Sequence, residues 1–146
     1  MVTRFEDNKN AMLEVCRNDE YISYLGIEFL EFEERYIKAR IPFRDGIKNG
    51  YKTVHGGVLY SFGDIVAGTL ACSTGKFCTT VEGNMNYLEP AVSSGYIFCE
   101  AKLVRCGLHL VVVDVEITNE KGKLLDNGSF TFFRTNEDVV GKESKC

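Results

Sequence analysis

The chain has 146 residues, 45% hydrophobic and 26% charged, which suffices for one domain with a real core and leaves too little for a second. Seventeen Lys and Arg against 21 Asp and Glu give a net charge of -4, the wrong balance for neutralising nucleic-acid phosphates or docking on an anionic membrane. Ten Phe, seven Tyr, fourteen Gly and two Pro exclude a disordered or Pro-rich linker composition.

The first twenty residues are studded with charge and hold no apolar run of signal-peptide length. Within them, Met12, Leu13, Val15 and Cys16 among polar neighbours predict a short amphipathic helix over 7–18, with 1–25 as a helical flap on the main body. Residues 26–43 alternate with a period of two and read as a hairpin, with Ile37, Ala39, Ile41 and Phe43 on one face and the turn near Glu33 and Glu34. A polar, Gly-containing connection over 44–54 follows.

Between Gly56 and Ser73 the larger apolar residues Val58, Leu59, Phe62, Ile65, Val66 and Leu70 recur at steps of three and four, which is helical spacing. The opposite side carries Gly56, Tyr60, Gly63, Ala67 and Ala71, so the helix is apolar or small almost all round and should be buried. Four strands follow after Thr79, each alternating as an antiparallel sheet with one covered face, and the tail over 141–146 reads as frayed. One helix enclosed by a curved antiparallel sheet is the arrangement this order suggests, an α+β fold in a single domain over 1–146.

Asp64 is the one charged residue between His55 and Lys76. It is either a structural carboxylate at a helix edge or an acid or base facing a cleft, where perturbed carboxylates concentrate. Ahead of it, Gly56 and Gly57 expose unpaired N–H groups at the positive end of a helix, a ready site for a developing oxyanion. The six cysteines form no CxxC pair and no regular spacing, so neither a zinc site nor a dithiol motif is visible, and reduced thiols fit a cytoplasmic protein.

The run HGGVLYSFGD, His55 through Asp64, resembles the signature of hotdog-fold acyl-CoA thioesterases of the PaaI-like subgroup. The resemblance extends to Asn49, six before the histidine, to TTVEGNMNYLEP and to GKLLDNGSFTFF in the last strand. It implies a hotdog fold, a curved antiparallel sheet wrapped around a long central helix, and hydrolysis of an acyl or aryl-acyl coenzyme A thioester with no cofactor and no metal. Asp64 would be base or nucleophile, Gly57 the donor to the thioester carbonyl, Asn49 and Thr80 the positioning groups for carbonyl and water. His55 is a further catalytic candidate or a loop-to-helix hydrogen-bonding residue. Gly56, Tyr60 and Arg105 are the candidates for holding substrate.

Seven residues of helix separate Gly57 from Asp64 by about 10.5 Å along one face. One carbonyl cannot touch both within a protomer, so the two groups should come from different copies of a two-fold dimer; the resemblance implies that such dimers can pair further into tetramers. The competing class is a non-catalytic acyl-CoA sensor or carrier, but the short N-terminal stretch leaves no room for a helix-turn-helix. A serine hydrolase built on Leu59 through Gly63 lacks the first glycine of a nucleophile elbow. A dehydratase would need a Pro-rich His loop that is not there.

Overall fold

The computed structural model describes residues 4–92 and 95–141, so residues 142–146 of the tail lie outside the described residues. The flap is two helices rather than one. Helix α1 (Arg4–Arg17) buries Asn8, Met12 and Cys16 at four-residue spacing. Helix α2 (Glu20–Leu25) starts where the Asp19 carboxylate accepts from the backbone N–H groups of Tyr21 and Ile22. It stops at Gly26, whose φ of +73° is open to glycine at little cost.

The hairpin is β1 (Glu28–Glu33) and β2 (Tyr36–Pro42), and the alternating Ile37, Ala39 and Ile41 are fully buried as the pattern requires. The 44–54 connection holds one 3-10 turn over Asp45–Ile47 and leads into α3 (Gly56–Cys72). Strands β3 (Lys76–Tyr87), β4 (Tyr96–Cys106), β5 (Leu110–Thr118) and β6 (Leu124–Asp138) complete one antiparallel sheet in the order β1-β2-β4-β5-β6-β3. Phe62, Val66 and Leu70 of α3 form one buried cluster with Ile97, Cys99, Val111, Val113, Phe130 and Phe132 from the sheet. Each such side chain contributes about 1.5–3 kcal/mol of burial, which ties the helix to the inner face. Among the described residues no helix is long and apolar enough to cross a membrane.

Two expectations need correction. Strand β3 has no fully buried residue, because it ends the sheet and has a neighbour on one side alone. For the same reason α3 is not enclosed all round: Gly57, Ser61 and Asp64 lie along a stripe that the sheet does not cover, whereas Leu59, Phe62, Gly63 and Val66 are buried. The open stripe is the one that carries the candidate chemistry.

Candidate active site

The loop before α3 is built around Asn49. Its Oδ1 accepts from the N–H groups of Tyr51 (2.9 Å) and Thr53 (3.2 Å), and its Nδ2 donates to Thr53 Oγ1 at 2.8 Å. The loop closes with Asn49 N–H to Thr53 O, and His55 N–H reaches Ile47 O at 2.8 Å, which fixes the residue that begins the helix. One Nδ2 hydrogen of Asn49 has no role in these bonds.

His55 caps α3: the Gly57 N–H donates to His55 Nδ1 at 2.9 Å. The bond makes Nδ1 the acceptor and puts the ring hydrogen on Nε2. The loop-to-helix role open to His55 is therefore present, and the Gly57 donor, expected to be unpaired, is held by a histidine that is itself exposed. The Gly56 carbonyl accepts from Tyr87 Oη at 2.9 Å, and a Cβ on Gly56 would lie 3.4 Å from the Tyr87 ring. Glycine there lets the last residue of β3 lean on the first turn of α3.

Asp64 lies two turns further along, half-buried. Thr80 Oγ1 on β3 donates to Asp64 Oδ1 at 2.8 Å. Loss of water around the carboxyl raises its pKa, and the Thr80 hydrogen bond acts against that rise by favouring the ionised form. Thr79, next along the strand, pairs with Phe133 and points the other way, as a period of two demands.

Other expected residues are not gathered here. The Tyr60 ring packs edge-on to Phe130 with centroids 5.2 Å apart, and a Cβ on Gly83 would lie 2.3 Å from its hydroxyl, so Tyr60 sits between helix and sheet. Arg105 pairs with Val112 on β5, in register with Thr131 of β6 and Glu82 of β3, which places it three strands and about 14 Å across the sheet from β3 within the chain. No group of three or more His, Cys, Asp or Glu among the described residues could hold a metal ion.

One residue of this region was missed. Asp126 on β6 is fully buried, and neither carboxyl oxygen has a hydrogen-bond partner among the described residues. Burial pushes its carboxyl up to about 6. It pairs with Ile117 of β5 and Tyr87 of β3 and so faces the helix. The signal was present: Asp126, Gly128, Phe130 and Phe132 share one parity in the last strand, and the parity that buries two phenylalanines buries the acid too. With Asn49, Thr53, Gly56, Leu59, Tyr87 and Ala91 it lines a cavity of about 310 Å³ at the N-terminal end of α3.

Residues 51–125 match the sequence profile of the Thioesterase superfamily. An esterase candidate of Haemophilus influenzae is 31% identical over 114 residues, 76% of this chain and 81% of the relative. The acyl-coenzyme A thioesterase PaaI of Escherichia coli K12 is 26% identical over 116 residues, 80% of this chain and 81% of that one. The solved E. coli PaaI structure superposes with a TM-score of 0.84 at 23% identity over 92% of this chain and 96% of that chain, a likeness of fold. The smu.793 protein of Streptococcus mutans, solved with acetyl CoA bound, gives a TM-score of 0.74 at 26% identity over 77% of this chain and 90% of its own.

Proposed function

Because the chain belongs to the Thioesterase superfamily, with a hotdog fold, we infer that it hydrolyses an acyl-coenzyme A thioester to the free acid and coenzyme A. The observation that carries this reading is the Asp64–Thr80 pair on the uncovered stripe of α3, a desolvated carboxylate held by one hydroxyl where substrate and water can reach it. The acetyl CoA bound in the S. mutans relative and the thioesterase activity named for the E. coli relative support the substrate class.

Asp64 acts ionised, taking a proton from water or attacking the thioester carbon directly. The Gly57 N–H, at the positive end of α3, holds the carbonyl oxygen and the negative charge that develops on it. The carbonyl takes that N–H by displacing His55 Nδ1, whose bond keeps the donor aimed outward until substrate arrives. The remaining Asn49 amide hydrogen, on the loop that leads into the helix, orients the acyl group.

Asp64 and Gly57 serve different sites, since about 10.5 Å of helix separates them. Strand β3 supports this arrangement: it is the sheet edge, it carries Thr80, and Val81 and Tyr87 on it are exposed. A second copy paired along this edge by a two-fold axis brings the helices side by side and antiparallel, so that Asp64 of each protomer meets Gly57 of the other. Five described cysteines are free thiols, which supports a reducing compartment such as the cytosol.

A panel of short alkyl, long alkyl and aryl-acyl coenzyme A esters, followed by release of free thiol, tests the activity. Turnover of at least one ester is expected and should survive exhaustive dialysis against EDTA, because no group of three or more His, Cys, Asp or Glu among the described residues could hold a metal ion. Activity lost to EDTA and restored by Zn²⁺ or Mn²⁺ would contradict this scheme.

The Thr80 bond gives a signed pH effect. Thr80→Val removes the donor that favours ionised Asp64 and leaves desolvation unopposed, so the Asp64 pKa moves further up. The acid limb of kcat/KM should shift to higher pH in Thr80→Val and return toward wild type in Thr80→Ser. An unmoved limb would mean that Asp64 is not the group whose ionisation the profile reports.

A further inference from the structure

Almost every polar side chain lining the cavity at the N-terminal end of α3 is paired within the chain. Asn49 and Thr53 bond each other, Tyr87 donates to the Gly56 carbonyl, and Glu89 meets Lys123 at 3.5 Å. Asp126 is the exception. It is fully buried, it lines the same cavity, and both its oxygens are acceptors without a donor among the described residues.

The register makes this acid conspicuous. Of its two direct neighbours, Tyr87 donates its hydroxyl to the Gly56 carbonyl and Ile117 is apolar, as are the inward residues Phe130 and Phe132 further along β6, so an aliphatic residue at 126 would fit there without any desolvated carboxyl. A buried carboxyl with no partner lowers stability, and such a cost persists where the group has a task that an apolar residue cannot perform. Leu59, Val54 and Ala91 supply apolar wall to the same cavity, and its volume of about 310 Å³ is in the range of small-ligand sites. Gly56 lines the cavity and immediately precedes Gly57, the donor that holds the thioester carbonyl in the reading above.

We propose that Asp126 is a specificity-determining residue: it forms the floor of an acyl subsite and selects acyl chains that carry a hydrogen-bond donor, a hydroxyl or an ammonium. The placement of the acyl group rests on the thioester-hydrolase reading. A plain alkyl chain entering the cavity leaves both Asp126 oxygens without a donor. A hydroxyl or ammonium at the matching depth satisfies it, and a site built to bond such a group discriminates strongly against the analogue that lacks it. The donor also offsets a negative charge at the end of α3 where the thioester oxygen must itself become negative.

The test uses matched coenzyme A esters that differ at one terminal group. Butyryl-, 3-hydroxypropionyl- and β-alanyl-CoA present methyl, hydroxyl and ammonium at one position; heptanoyl-, 6-hydroxyhexanoyl- and 6-aminohexanoyl-CoA present them deeper. Wild type should prefer a donor-bearing member over its methyl analogue by at least about tenfold in kcat/KM, and the hydroxyl and ammonium arms identify which donor is selected. Asp126→Leu should reverse the order, favouring the methyl ester, and should melt at higher temperature than wild type because an unpaired buried carboxyl is gone. Asp126→Asn, which keeps the shape, should lose the ammonium preference and serves if the leucine variant fails to fold. Dissociation constants for the corresponding non-hydrolysable thioethers give a second readout. Equal turnover of methyl and donor esters by wild type and both variants overturns this proposal and leaves the hydrolase reading standing. Donor-selective binding without any turnover does the reverse, and neither selectivity nor turnover overturns both.

Discussion

Asp64→Asn should leave a folded protein whose kcat is lower by at least about a hundredfold, the scale on which a positioned acid or base contributes. The substitution is close to neutral for the fold: asparagine keeps an oxygen for Thr80 Oγ1, which donates to Asp64 at 2.8 Å, and the stripe around it is half-buried rather than packed. What it removes is the charge. A neutral amide neither takes a proton from water nor attacks a thioester carbon, while Gly57, Asn49 and the cavity at the start of α3 are untouched. The initial rate of thiol release from the best ester, together with an unchanged melting temperature and circular dichroism spectrum, checks the expectation. A rate near wild type would make Asp64 a structural carboxylate that merely ties α3 to β3.

Mixing two inactive variants should restore activity. Asn49 orders the loop that delivers His55 and Gly57, whereas Asp64 lies two turns down the helix, so Asn49→Ala and Asp64→Ala damage opposite halves of a shared site. Equal amounts unfolded together and refolded give hybrids for about half of the dimers, and every hybrid has one site with both defects and one with neither. Activity per total protomer should then return to about a quarter of wild type, provided the sites act independently. Native mass spectrometry confirms the hybrids. Abundant hybrids with no recovery would place each complete site within one protomer and remove the reason for a shared interface.

Much of this molecule was legible in side-chain periodicity. The three- and four-residue spacing of Val58, Leu59, Phe62, Val66 and Leu70 located α3 to within one residue, and the two-residue alternation of Ile37, Ala39 and Ile41 oriented the hairpin correctly. Periodicity fails where an element is too short to display it, so the six residues of α2 passed unseen although Asp19 and Gly26 mark both ends. It also fails at boundaries that depend on what lies beside a strand: β3 alternates in sequence but has no buried face, because nothing within the chain flanks its outer side. In the site, the resemblance gave Asp64 and Thr80 separate roles, and the hydrogen bond that joins them is a finding of the structure. The capture of the Gly57 N–H by His55 and the packing of Tyr60 against Phe130 depend on rotamers, which no spacing rule conveys. Asp126 was legible and passed over, since an acid in a strand is read by habit as solvent-facing unless its parity is counted against Phe130 and Phe132.

The twelve residues of β3 close the sheet with a row of amides and carbonyls facing away from β6. Such a row is a template that any extended chain can extend, and this one carries neither proline nor an unbroken line of lysines to discourage strangers. During synthesis, before a second copy is at hand, the newly folded chain is exposed to its own unfolded siblings at the very edge that bears Thr80. The outcome becomes a race whose two lanes respond differently to abundance and temperature: orderly pairing of folded copies against disorderly accretion of extended ones. Slow synthesis at low temperature favours the first lane, and a solubility defect in overproduced material would trace to this edge sooner than to the core.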